Sequence, residues 1–298
     1  MSDLASRARV RGRDFLLGLT PRRIAARWSG PRVFANSVPK SGTNLLLECL
    51  RHFPMLRPGH RHVSMNSNRR PGSEEFDRTV PKTARGEYVS GHAFYTEAHA
   101  ETVEEHGIDV LLMVRDPRDV VTSHFHYVTE KHPGHRLHEH YRSLPDDGAR
   151  LMASIRGVDG EHTRDGDPLE GIEEWMDRFL AWNEQPYTAV LRFEDLIGPR
   201  GGGSREAQVE TVETVADHIG VDLTDEEVDY VARNTFSTGS STFRKGLIGD
   251  WRNHFEPEHV EAFKQAAGDH LLDLGYEPDG DWSVEETATE QYAVPTDD

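Results

Sequence analysis

The chain repeats one local pattern, in which a short apolar run leads into a tight loop and then into a helix. Residues 33–38 form such a run; loop 39–44 follows, and a helix is predicted over 45–53. A second apolar run, 110–114, leads into a helix predicted over 117–127. Strand, loop and helix in this order make half of a βαβ unit, so the pattern predicts a parallel sheet.

The remaining pattern completes a single α/β domain with a central parallel sheet flanked by helices. Further predicted elements are a strand at 189–193 and helices near 171–182, 206–219 and 225–233. We predict three parts: a basic N-terminal segment at 1–30, the domain at 31–276, and an acidic, disordered tail at 277–298.

The charge of the chain is −18, and it is unevenly distributed. Residues 1–32 carry eight arginines and two acids, which leaves −24 for the rest of the chain. A body this acidic repels nucleic acid, so we expect no nucleic-acid partner and a dedicated pocket for any anion. The basic segment suits peripheral contact with a membrane; the alternative is a terminal helix packed on its own domain.

Composition also bears on the compartment. Only five of the 34 basic residues are lysines, and an acidic, lysine-poor chain is typical of a salt-rich, halophilic cytoplasm. The single cysteine, Cys49, excludes a disulfide framework and fits a reducing interior. We therefore predict a cytoplasmic protein, with the inner membrane surface as an option through the basic segment.

Loop 39–44 reads Pro-Lys-Ser-Gly-Thr-Asn and joins a strand to a helix. The helix N terminus and the turn around Gly42 direct backbone N–H groups at one point, which favours phosphate or sulfate. Further donors in the loop are Lys40, Ser41, Thr43 and Asn44. No Gly-Lys-Ser/Thr sequence is present, so the loop is not a Walker A motif. An ordinary strand-to-helix turn is the alternative.

Two further segments offer groups for a second anion. Arg115 follows the second apolar run, and Ser123 lies about two helical turns later, so both can reach the carboxyl edge of the sheet. Pairing of Arg115 with a neighbouring aspartate is the alternative. Arg244, Lys245 and Gly246 form a basic glycine loop that can close over a phosphate.

Together the segments 39–43, 115–123 and 244–253 resemble the three nucleotide motifs of soluble sulfotransferases, which use 3′-phosphoadenosine 5′-phosphosulfate (PAPS). The resemblance implies PAPS as co-substrate, PAP as product and no metal. It assigns the 5′-phosphosulfate to Lys40, Ser41, Gly42, Thr43 and Asn44. It assigns the 3′-phosphate to Arg115, Ser123, Arg244, Lys245 and Gly246. Phe193 stands where the family usually has a tyrosine, and we predict that it packs in the cofactor site.

Transfer to an alcohol requires a base, and histidine is suited to neutral pH. His92 precedes Arg115 by 23 residues, similar to the family's catalytic histidine, so we predict His92 as base and Lys40 as the catalytic cation. A surface or packing histidine is the alternative. The family's lysine two residues before this histidine is Ser90 here, and its aromatic residue after the first loop is Leu45, which leaves adenine stacking open.

The competing functions are a P-loop kinase or NTPase and a nucleotide-binding module without turnover. The acceptor is a hydroxyl compound bound by loops 54–87, 93–105 and 130–170. Their polar, His- and Arg-rich sequences favour a carbohydrate or glycolipid over a phenol. Histidines at 124–140 follow no metal-ligand spacing, so we predict no metal site. The oligomeric state stays open.

Overall fold

The structure is a computed structural model that describes residues 21–65, 74–236 and 247–284. Within these ranges, five parallel strands form one sheet in the order β2-β3-β1-β4-β5. The strands are β1 Arg32–Ser37, β2 Arg57–Val63, β3 Glu87–Gly91, β4 Asp109–Val114 and β5 Thr188–Arg192. The order reverses at β1, between β3 and β4, which is the position where ligands bind in open parallel sheets.

Helices cover both faces of the sheet. Those of the N-terminal half are α1 Pro21–Ser29, α2 Thr43–His52, α3 Glu74–Thr79, α4 Glu97–Glu105, α5 Pro117–His126 and α6 His138–Ser143. Those of the C-terminal half are α7 Asp147–Arg156, α8 Ile172–Leu180, α9 Phe193–Leu196, α10 Arg205–His218, α11 Asp225–Thr235 and α12 Pro257–Asp273. None of the helices in the described ranges is long and apolar enough to cross a bilayer.

Alternate residues of the central strands face opposite cores. Phe34 and Leu112 contribute to one buried cluster, whereas Val33 and Leu111 contribute to the other. Because both faces of the sheet are covered, the central strand β4 is apolar and buried from Val110 to Val114 rather than alternating with polar residues. The predicted single α/β domain with a central parallel sheet is therefore confirmed.

Several elements lie in segments that the sequence predicted as loops. The predicted loop 54–87 contains the edge strand β2 and helix α3, the predicted loop 93–105 contains helix α4, and the predicted loop 130–170 contains helix α6. Strand β2 reads Arg-Pro-Gly-His-Arg-His-Val, which has no apolar run, and its pairing with β3 is irregular between Pro58 and His62. Its strand geometry comes from its neighbour in the sheet, which local pattern does not reveal.

The beginning of the predicted disordered tail is folded. Trp282 is buried against Trp251 and Phe263, and Glu277 forms an ion pair with buried Arg118. The expectation of disorder from residue 277 is therefore wrong for 277–284, because an aromatic anchor outweighs the acidic composition there. Residues 285–298 lie outside the described ranges, as do residues 1–20 of the basic segment.

Candidate active site

The first loop has an unusual backbone at two positions. Lys40 has φ 73° and Gly42 has φ 101°, both in the left-handed region. A Cβ atom at Gly42 would lie 2.5 Å from Cδ2 of Phe193, so only glycine fits this approach. Ser41 is fully buried, and its Oγ has no hydrogen-bond partner among the described residues. The loop thus presents a buried hydroxyl beside the N terminus of α2, as anion binding requires.

His92 follows the last residue of β3, and its backbone is rigidly held. Its N–H donates to the carbonyl of Val63 at 3.0 Å. The next residue, Ala93, exchanges two hydrogen bonds with the Asn36 side chain, both 2.9 Å, and its carbonyl also accepts from Trp182 Nε1 at 3.0 Å. Because Asn36 lies on β1, the histidine is fixed to the central strand of the sheet.

The ring of His92 has a defined tautomer. Nδ1 lies 2.8 Å from the carbonyl oxygen of Ser37, and since a carbonyl only accepts, Nδ1 carries the proton. In the neutral ring the lone pair is then on Nε2. The pKa of His92 is lowered to about 4, mainly by burial; the hydrogen bond to Ser37 opposes this fall, and nearby His62 and Lys40 add to it. His92 is therefore neutral at pH 7.

Ser37 connects this histidine to the first loop. Its Oγ lies 2.7 Å from Thr43 Oγ1 and 3.2 Å from His92 Nδ1. Ser37 ends β1, so the same strand end contacts both the loop and the ring. Through Ser37, the structure places Thr43 and His92 close together at the carboxyl edge of the sheet.

Lys40 lies on the other side of the loop, against an aromatic ring. Its Nζ is 3.8 Å from the ring centroid of Tyr127, the first residue of a π-helical turn after α5. The Tyr127 hydroxyl is 3.2 Å from His132 Nδ1. A cation held over a tyrosine face is stabilised by the ring quadrupole.

Arg115 lies at the end of β4 and joins the first loop to the third segment. Its guanidinium is 4.5 Å from the ring centroid of Phe193, which in turn packs against Gly42. Nη2 donates to Asp119 at 3.0 Å and to the carbonyl of Leu247 at 2.7 Å, and Nε has no hydrogen-bond partner among the described residues. The pairing with an aspartate, left open as an alternative, is thus present.

Asp119 fixes the end of the third segment. Besides Arg115, its carboxylate accepts the N–H of Gly249 at 2.8 Å and of Trp251 at 2.9 Å. Ser123 lies about one turn beyond Asp119 on α5 and is partly buried. The predicted residues Arg244, Lys245 and Gly246 lie outside the described ranges. Asn44 is the second residue of α2 and is exposed.

A carboxyl behind Arg115 has a strongly shifted pKa. Removal from water raises the pKa of Glu194 to about 7, while nearby Arg115 and the Asp116 N–H oppose the rise. Glu194 accepts this N–H at 3.0 Å and the Tyr276 hydroxyl at 2.9 Å. The carboxyl is therefore partly protonated near neutral pH.

One cluster in the described ranges has metal-type ligands, namely Glu256, Glu258 and His259. Nδ1 of His259 accepts the N–H of Glu256 at 3.0 Å, and Nε2 donates to the carbonyl of Gly148 at 3.0 Å. With both nitrogens used, the imidazole has no lone pair for a metal. The cluster is a helix cap.

Sequence reasoning missed three residues that organise the site: Ser37, Asp119 as the anchor of 249–251, and Tyr127. Ser37 could have been noticed as the last residue of a strand that leads into an anion loop. Asp119 and Tyr127 act across long sequence distances, and the local pattern carries no signal for them.

The fold agrees with comparisons to known proteins. A family model for the sulfotransferase domain matches residues 31–275. Sulfotransferase 6B1 of Danio rerio is 28% identical over 165 residues, covering 49% of this chain and 46% of the relative. Sulfotransferase 2A6 of Mus musculus is 25% identical over 189 residues, covering 57% and 58%. The chain thus spans about half the length of these curated relatives.

Solved structures share the fold. The crystal structure of mouse sulfotransferase SULT7A1 complexed with PAP has a TM-score of 0.58 and 18% identity, covering 88% of this chain and 92% of that one. Retinol dehydratase in complex with androsterone and inactive cofactor PAP has a TM-score of 0.53 and 17% identity, covering 85% and 86%. Since the family model extends over most of the described domain, the chain belongs to the sulfotransferase family.

Proposed function

We propose that the chain transfers the sulfuryl group of PAPS to a hydroxyl acceptor, with His92 as the base. The observation that carries this proposal is the contact from Thr43 through Ser37 to His92, which joins an anion loop to a neutral imidazole. PAPS supplies the sulfuryl group. Nε2 of His92 takes the acceptor proton as the oxygen–sulfur bond forms.

The first loop would hold the leaving phosphate. Lys40 supplies a positive charge, and the Ser41 hydroxyl and the amides of Thr43 and Asn44 supply donors. Gly42 permits the close backbone approach. The buried Ser41 Oγ has no hydrogen-bond partner among the residues that the structure describes, which supports this role, because a buried hydroxyl otherwise finds one.

The 3′-phosphate would lie beyond Phe193, near Arg115 and Ser123. Among the described residues, the Nε of Arg115 has no hydrogen-bond partner, which supports this position, and its Nη2 donates to the carbonyl of Leu247 at 2.7 Å. We propose that Arg244, Lys245 and Gly246 complete the 3′-phosphate site. Phe193 packs between the two phosphate positions and offers its ring to the nucleotide. No metal takes part in the proposal.

Binding separates this function from a P-loop kinase or NTPase. We expect calorimetry of the full chain to give tight binding of PAP and weak binding of ATP, because the Arg115 side of the site suits a 3′-phosphate. Lys40→Ala is expected to weaken PAP binding by about 10-fold or more. Tight ATP binding with none for PAP would end the sulfotransferase proposal.

Turnover separates an enzyme from a binding module. With labelled PAPS, His92→Ala is expected to reduce transfer by about 10²–10⁴-fold with little change in PAP binding, since a general base acts mainly on the chemical step. His106→Asn is the matched control, because His106 lies at the amino edge of the sheet, where its carbonyl accepts from Arg32. Undiminished turnover of His92→Ala would remove His92 from its role.

For the acceptor, we propose a carbohydrate or glycolipid hydroxyl. Polar rings beside Lys40 support this: Tyr127 contacts His132, and His135 lies near both. The retinol dehydratase structure instead holds the steroid androsterone, so a lipophilic alcohol is the competing class. Labelled transfer to octyl glucoside and galactosylceramide should exceed transfer to androsterone, retinol and p-nitrophenol; the reverse order would contradict the proposal.

We further propose a cytoplasmic, halophile-type protein that touches anionic membranes through residues 1–30. Support comes from the arginines of that segment and from Trp28 on α1, which is 82% exposed. Co-sedimentation with anionic vesicles should fall for Trp28→Ala and in high salt. Equal binding to neutral vesicles would contradict an electrostatic contact.

A further inference from the structure

A second histidine, which the proposed mechanism does not use, lies against His92. His62 belongs to the edge strand β2, and its ring centroid is 5.1 Å from that of His92, at an interplanar angle of 81°. The two rings therefore meet edge to face within the site. Neither the strand nor His62 was predicted from the local pattern.

The sheet itself places His62 there. Pro58 pairs with Tyr88 and His62 pairs with Ser90, so the pairing of β2 with β3 is irregular between these positions. Such irregularities re-aim side chains and are common beside functional sites. His62 Nδ1 then lies 2.9 Å from Ser90 Oγ. Because Ser90 lies on β3 two residues before His92, this contact holds the ring of His62 against that of His92.

The charged groups around this pair are few. Glu75 on α3 faces His62, and Lys40 on the first loop faces His92. Burial lowers the pKa of His62, and Glu75 opposes this. Two imidazoles at this distance do not both accept a proton readily, because like charges repel strongly away from bulk water. Protonation of the pair thus occurs in two separate steps.

We propose that His62, held by Ser90, is a positioning residue that keeps His92 in its neutral, proton-accepting form. Glu75 favours the proton on His62, so the first proton taken up by the pair goes there. The charge on His62 then disfavours a second proton on His92, which stays a base as the pH falls. This inference rests on the proposed role of His92.

The test is the titration of His92 by NMR in the full chain labelled with ¹⁵N-histidine, with PAP present. His62→Phe keeps an aromatic ring and the burial of His92 but removes the charge, so we expect the pKa of His92 to rise by about one unit. His106→Asn, at the opposite edge of the sheet, should leave the pKa of His92 unchanged. An unchanged value in His62→Phe would show that burial alone lowers it and would overturn the inference.

Ser90→Ala provides a second variant, in which both histidines are retained. Loss of the Ser90 hydrogen bond should release His62 and raise the pKa of His92 by less than His62→Phe does. An unchanged pKa of His92 in Ser90→Ala would count against the inference, and this result is available even if His62→Phe does not fold. The acid limb of kcat/KM should move to higher pH in both variants. Full activity of His92→Ala would defeat the proposed function, whereas an unmoved acid limb with inactive His92→Ala defeats only this inference.

Discussion

Gly42 illustrates how one backbone position shapes the site. Its left-handed conformation and its approach to Phe193 together bring the aromatic ring against the first loop. The same ring lies under Arg115, so a single glycine sets the spacing between the two predicted phosphate positions. Because Gly42 has no side chain, adding a methyl group there tests both its backbone conformation and its close approach to Phe193.

Gly42→Ala should destabilise the protein by about 2–4 kcal/mol, because backbone strain adds to a clash with Phe193. It should also weaken PAP binding. Gly107→Ala is the matched control, since Gly107 has φ 56° but open space where an added methyl group would lie, so only the strain applies. Urea unfolding and calorimetry measure both effects. Equal losses in the two variants would mean that the Phe193 contact is unimportant.

Glu194 makes stability depend on pH. Its pKa in the folded protein is raised to about 7, above the 4.5 of an ordinary glutamic acid. The folded state therefore binds more protons than the unfolded state between these values, and this group's contribution to stability falls as pH rises from about 4.5 to 7.

Glu194→Gln removes this dependence while keeping hydrogen-bonding groups for Asp116 and Tyr276. We expect the variant to gain stability relative to wild type between pH 5 and pH 8, by up to about 3 kcal/mol. Urea unfolding at the two pH values measures the difference. A constant difference between variant and wild type would show that Glu194 does not titrate in this range.

At the scale of elements, α5 organises the site by attaching the third segment. The Asp119 carboxylate accepts N–H groups from Gly249 and Trp251 and pairs with Arg115. One helix thereby fixes both the cation at the end of β4 and the chain that follows the third motif. Such a buried network is sensitive to loss of any acceptor.

Asp119→Asn is therefore expected to cost about 2–4 kcal/mol in unfolding free energy, because its amide group faces N–H donors. PAP affinity should fall as well, since Arg115 loses its partner. Asp147→Asn is the control, because Asp147 is exposed and pairs only with Arg150 among the described residues. Unchanged PAP affinity in Asp119→Asn would show that the contact of Asp119 with residues 249–251 does not contribute to the cofactor site.

At the scale of the whole molecule, the segment 277–284, which follows α12, packs against the core of the domain. The guanidinium of Arg118 lies 4.0 Å from the ring centroid of Trp251 and 4.6 Å from that of Trp282. Arg118 also forms ion pairs with Asp116 and Glu277. The C-terminal segment thus packs on the same helix that organises the site.

Trp282→Ala should lower the unfolding free energy by about 3–5 kcal/mol, the usual loss for a buried tryptophan. Trp28→Ala is the matched control, because Trp28 is 82% exposed and its loss should change stability by less than about 0.5 kcal/mol. Thermal unfolding of both variants measures the contrast. Similar midpoints for the two would mean that the segment 277–284 does not stabilise the domain.

Sequence reasoning succeeded where structure is local. The strand, loop and helix around Gly42 were predicted within one or two residues, because apolar runs, glycine and helix caps act on their neighbours. It failed for β2, whose polar residues become a strand only through pairing with β3. His62 was missed with β2, since a loop prediction does not indicate which way a side chain points.

By itself, the sequence determined the α/β class, the strand, loop and helix around Gly42, and the order of the three motifs, because these follow from periodicity and from residue chemistry. Only the tertiary structure decided that Ser37 joins Thr43 to His92, that Asp119 anchors residues 249–251, and that Trp282 belongs to the core. Each of these contacts joins residues distant in the chain or in different elements. The free energy of such contacts depends on packing in three dimensions, which no local pattern encodes.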